Sequence, residues 1–106
     1  MTNASPREDP RAGSGTVEVR DRVVHLRGDF DRCNEDLLRS AIAEVSGRPE
    51  FVVDLTECTY LDSGAIGVFF EVVDLRPRLR SRPGSIVARV LTLTGFGDLG
   101  LLEYAD

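Results

Sequence analysis

Asp62-Ser63-Gly64 is the part of this chain whose residue types and spacing best suit chemistry. The three residues follow an apolar run and precede AIGVFF, so they fall at the start of a helix. A carboxylate there caps the unpaired amides of the first turn, and a hydroxyl beside it lies in a field that favours an anion. A phosphate on Ser63 would add a charge of about −1.5 to −2 next to Asp62, which a partner docked on the helix start would sense. Ser63 is therefore a candidate phosphoacceptor, and its plainer alternative is a helix cap.

Other chemistries fit less well. Asp29 and Asp31 have DxD spacing, but a paired-carboxylate site needs a cavity of roughly 300 to 1,000 Å³, which a domain this small has difficulty enclosing. Ser63 as a nucleophile would need a glycine two residues earlier, where Leu61 stands. The only histidine, His25, reads as a solvent-facing strand residue rather than a base. Cys33 and Cys58 form no CxxC and have only His25 as a nitrogen ligand, so they read as small buried hydrophobes rather than a zinc or redox pair. No catalytic residue, metal or cofactor is expected.

A chain of 106 residues fits one small domain, with 42% hydrophobic and 29% charged residues in the globular range. The net charge of −5 argues against nucleic-acid binding, which needs a basic excess. All 13 basic residues are arginine, so chemistry that needs a lysine beside a phosphorylated aspartate is closed to it. Apolar runs fall short of the ~20 residues that cross a bilayer, and the polar N-terminus is no signal peptide, so a cytoplasmic, non-membrane protein is expected.

The elements that must position Asp62 and Ser63 follow from periodicity. Met1 to Gly15, rich in Pro, Ser, Gly and charge, reads as a disordered lead to a single domain over 16–106. Thr16 to Arg20 and Val23 to Arg27 alternate as two half-buried strands around an Asp21-Arg22 turn. Gly28 to Asp31 reads as a turn into a helix that Asp31 or Asn34 caps. Leu37, Leu38, Ala41, Ile42 and Val45 give that helix one buried stripe, which Gly47 and Pro49 end.

Phe51 to Leu55 reads as a strand covered on both faces or central in a mixed sheet. The second helix spans about Ser63 to Leu75, with Gly64, Gly67, Glu71 and Asp74 as a narrow stripe in an apolar arc of roughly 220°. Part of that arc must meet another helix or, more sharply, a partner protein. Arg78, Arg80 and Arg82 line one side of a short strand, which reads less as a phosphate or membrane contact than as a solvated face that discourages edge pairing. Ile86, Val90 and Leu93 mark a third helix, and Leu99 to Tyr104 closes the domain as a short helix or strand. The sum is an α/β (α+β layered) fold: a small mixed sheet of four to five strands with three to four helices.

These residues resemble the STAS domain of bacterial anti-sigma factor antagonists. GDFD at Gly28 to Asp31 resembles the family's Gly-Glu-Leu-Asp, and Val52 to Val68 resembles its strand, Asp-Ser-Ser-Gly turn and helix. Val87 to Leu99 resembles its late helix and Thr-Gly-Leu segment. The resemblance implies a non-enzymatic switch protein that binds an anti-sigma factor with Ser kinase activity and so frees a sigma factor. It also implies a Ser phosphatase that reverses phosphorylation, and a partner surface at Asp29, Asp31, Asp62, Ser63, Gly64, Ala65 and Gly67. The family's usual phosphoacceptor column holds Gly64, which has no hydroxyl. Either Ser63 accepts the phosphate from one position earlier, or the protein is an antagonist its kinase cannot switch off. The runner-up is a STAS-type interaction or scaffold module of a stress-signalling complex without sigma control.

Overall fold

The structure is a computed structural model that describes residues 7–8 and 15–105. Its sheet runs β1 (Arg7–Glu8), β2 (Thr16–Arg20), β3 (Val23–Phe30), β4 (Val52–Leu61), β5 (Arg78–Ser81) and β6 (Leu102–Tyr104), in the same order in space as in sequence. The first three strands pair antiparallel and the last four parallel, so β4 is central between β3 and β5. The helices are α1 (Glu35–Val45), α2 (Ser63–Glu71) and α3 (Ile86–Leu93), each in a crossover between parallel strands. Crossovers that step the same way with the same hand place all three helices on one face of the sheet.

Strand chemistry agrees with that one-sided cover. Val24, Leu26, Val53, Leu55 and Leu79 are buried beneath the helices, while His25, Arg27, Asp54, Arg78 and Arg80 alternate onto the other face. That open face is laced with polar and charge pairs: His25 Nδ1 to Asp54 at 3.3 Å, Arg27 to Glu57 at 2.6 Å, and Arg78 and Arg80 to Glu103 at 2.9 and 2.6 Å. His25 is thus a half-buried partner of Asp54, not the free surface histidine that its strand position suggested. The arginine row is not simply solvated either, since Arg78 and Arg80 clamp β6 through Glu103, and Arg82 Nε donates to the Thr56 carbonyl at 2.8 Å.

Four further expectations change. Gly28 to Phe30 extends β3 instead of turning, with Gly28 at φ 81° where the register slips. β4 continues to Leu61 through two such slips. Cys33 is exposed; only Cys58 is buried, and burial pushes its thiol up to about 11. On α3 it is Val87, Ala88 and Leu91 that face the core, while Ile86 and Leu93 are 67% and 79% exposed.

The second helix is shorter than expected, ending at Glu71 before a 3₁₀ turn at Val73–Leu75. Its apolar arc meets the sheet through Val68 and Phe69, and beyond the sheet it meets Phe96 in the loop after α3. Phe96 stacks on Phe70 with centroids 4.4 Å apart and presents its edge to Phe69 at 6.3 Å. Within the stretch read as a disordered lead, Arg7–Glu8 pairs with Thr16 and Val17 and Gly15 is buried, while the rest of that lead lies outside the described residues.

Candidate functional site

The paired ends of β3 and β4 bring the two aspartate motifs together. Phe30 lies opposite Leu61, and the Asp62 amide donates to the Phe30 carbonyl at 3.0 Å. The chain then leaves both strands at the carboxyl edge of the parallel sheet, where open α/β folds place their ligands.

Each aspartate caps the turn that follows it. The Cys33 amide donates to Asp31 Oδ1 at 2.9 Å, and Asn34 Oδ1 accepts from the Asp31 amide at 3.0 Å. This closes a reciprocal box on the 3₁₀ turn Arg32–Asn34, so Asp31 and Asn34 share the cap. Asp62 does more. Its Oδ1 accepts from the Ala65 amide at 3.1 Å, and its Oδ2 accepts from the Arg32 amide at 3.1 Å. One carboxylate therefore starts α2 and ties it to the Asp31 turn.

Ser63 is not the cap. It is the first residue of α2, exposed, and its hydroxyl makes no hydrogen bond among the described residues. Gly64 is half-buried, and a Cβ there would collide with the Glu35 carboxylate and approach Asp62 Oδ1 to 3.2 Å. An acidic group thus already occupies the space that a side chain at 64 would claim. Ala65 is buried beneath the helix start. A Cβ on Gly67 would meet open space, so no internal contact requires glycine there.

Asp29 turns the other way, onto the open face of the sheet, where the Thr59 hydroxyl donates to its Oδ1. It does not join Asp31 and Asp62, and the DxD spacing builds no paired-carboxylate site. Beside the helix start, Arg39 links the two helices: it reaches both Glu71 oxygens at 2.8 Å, Asp36 at 3.1 Å and Glu35 at 3.3 Å. The Arg39 hydrogen bond holds the Glu71 carboxyl below its usual range, and the same bond raises Arg39.

Residues 16–103 match the family model described as "Mlab, STAS domain". The chain belongs to the STAS domain family. No curated protein matches it by sequence. Among solved structures, this STAS domain is similar to an anti-sigma factor antagonist from Mycobacterium paratuberculosis, with TM-score 0.71 and 23% identity over 94% of this chain and 92% of that one. It is also similar to the anti-sigma factor antagonist SpoIIAA in its unphosphorylated form, with TM-score 0.66 and 15% identity over 88% and 89%. A third likeness is to a provisionally assigned anti-sigma factor antagonist from Thermotoga maritima, with TM-score 0.64 and 19% identity over 89% and 88%. Identities this low speak for the fold alone.

In this STAS domain the sequence reading missed Glu35 and Arg39. Their i,i+4 spacing on α1 was a visible signal for an ion pair. Nothing in the sequence indicated that the pair would face Gly64 and Glu71 across the helix interface.

Proposed function

We propose that this STAS domain is an anti-sigma factor antagonist: a cytoplasmic, non-enzymatic domain that captures an anti-sigma factor and thereby releases a sigma factor. The observation that carries the reading is the exposed amino end of α2, held open between the Asp31 and Asp62 caps at the sheet's carboxyl edge. The likeness to anti-sigma factor antagonist structures supports the role. Asp31, Asp62, Ser63, Gly64 and Gly67 form the docking surface, with Ala65 fixed beneath them and Asp29 at its margin.

The partner is an anti-sigma factor of the Ser kinase type, and this antagonist stays active in its presence. Two features support that finer reading. Gly64 offers no hydroxyl, and the Glu35 carboxylate fills the space above it. Ser63 does offer one, displaced by a residue, and a loss of ~1 Å in alignment can cost about 10²-fold in rate. A phosphate at Ser63 would also stand beside the Asp62 carboxylate.

Pulldown from native cytoplasm, with and without ATP, should recover an ATP-binding anti-sigma factor. Phosphate mapping after incubation with that factor and ATP should find residue 63 unmodified. Stoichiometric phosphoserine at 63 would replace the constitutive reading with a switchable one. Gly67→Ala should stabilise α2 by about 0.5 to 1 kcal/mol, since a Cβ there meets nothing. The same variant should weaken capture of a partner that lies close on the helix, and unchanged capture would remove Gly67 from the surface.

The alternative is a STAS-type scaffold module of a stress-signalling complex without sigma control. Recovery of only further copies of this chain in the pulldown would favour it.

A further inference from the structure

At the other end of the sheet, about 25 Å away along the eight residues of β3, a cavity of about 590 Å³ opens beside the first residues of β3 and β4. Arg22 from the β2–β3 turn, Arg48 from the α1–β4 loop and Arg80 from β5 converge on it, over a floor of Val23 and Val52. The only acidic residue in its wall is Asp21.

The charge arrangement here differs from the rest of the open face. There the guanidiniums are answered by carboxylates, as Arg27 is by Glu57 and Arg78 by Glu103. Around the cavity, the Arg22 and Arg48 side chains have no carboxylate or carbonyl partner among the described residues. Arg80 engages Glu103 through Nε and lies close enough to Asp54 to lower that carboxyl, so only part of its charge is left to the cavity. The wall is also held in place: the Val52 amide donates to the Arg22 carbonyl at 2.9 Å, and Asp21 makes the turn at φ 55°.

Arg22 and Arg48, with the partly answered Arg80, face only Asp21 in this wall, a local excess of positive charge in a chain of net charge −5 that attracts an anion. Planar N–H forks match the paired oxygens of a phosphate group, and the volume lies within the ~300 to 1,000 Å³ of small-molecule sites. We propose that this cavity binds a phosphorylated small molecule, its phosphate held by Arg22, Arg48 and Arg80. The site is separate from the α2 docking surface, so it stands or falls independently of the antagonist reading.

Isothermal titration of the full chain at about 50 mM salt, with pyrophosphate as the probe and then orthophosphate and ATP, tests the proposal. Saturable one-to-one binding of pyrophosphate is expected. Arg22→Gln with Arg48→Gln should weaken it at least tenfold without changing the melting temperature, and Arg89→Gln, on the exposed side of α3, should leave it unchanged. Equal binding of orthophosphate would assign the site to a single phosphate group, and tighter binding of ATP would assign it to a nucleotide; each supports the proposal. Absence of saturable heat up to millimolar probe would overturn it, as would an equal loss in Arg89→Gln.

Discussion

Asp62 is the side chain on which the local geometry turns, because its two oxygens satisfy amides from two different segments. Replacing it with alanine leaves the Ala65 and Arg32 amides without these acceptors, at a cost of about 1 to 2 kcal/mol. Ser63→Ala should fall within about 0.5 kcal/mol of the parent, since that hydroxyl is exposed and unbonded among the described residues. Urea unfolding of the two variants separates these roles. A Ser63→Ala loss above 1 kcal/mol would show that serine, not aspartate, starts the helix. Capping logic alone was enough to find Asp31 and Asp62 in the sequence, since a cap acts within three residues of itself. Glu35 above Gly64 was invisible to it, because that approach depends on how two helices lie side by side.

The helix α3 shows where periodicity stops being informative. Ile86, Val90 and Leu93 form one helical stripe, and Val87 and Leu91 form another on the adjacent face. Both stripes are apolar, so the pattern fixed the helix but not its rotation; the position of the sheet selected the second stripe. Leu91→Ala should therefore cost about 2 to 5 kcal/mol, and Leu93→Ala less than about 0.5 kcal/mol. Denaturant midpoints with unchanged m-values would check this, and a reversed order would turn the helix by about a third of a revolution.

β4 outruns the five-residue strand that its sequence predicts for a related reason. Its inward residues Leu55, Cys58 and Leu61 are spaced by three, because each bulge inserts an unpaired residue, and a spacing of three does not read as a strand. Gly28-Asp29 likewise has turn composition while it stays in β3 opposite the second bulge, with Gly28 at φ 81°.

Taken together, the charge pairs make the fold acid-sensitive in a predictable sense. Hydrogen bonds from Arg80 and Arg78 hold the Glu103 carboxyl below its usual range. Partial burial works to raise Asp54, but the Thr56 amide and hydroxyl, His25 and Arg80 outweigh it and leave that carboxyl lowered as well. A carboxyl with a lower pKa folded than unfolded adds stability above its unfolded value, near 4, and loses it as pH falls through the folded value. The melting temperature should thus be flat in this respect from pH 8 to 5 and fall below about pH 4. Glu103→Gln should lower it at pH 7 by the equivalent of less than about 1 kcal/mol and make the acid limb shallower. An acid limb identical to the parent's would remove Glu103 as a contributor.

Because every strand pairs only with its neighbours in the chain, a ribosome delivers this sheet in the order in which it assembles. Both aspartate caps and the whole of α2 have been synthesised once Glu71 is joined, before any residue of β5 exists. The proposed docking end is thus written into the first two-thirds of the message. The final third brings Phe96, which closes over Phe69 and Phe70 and fixes the finished helix in place.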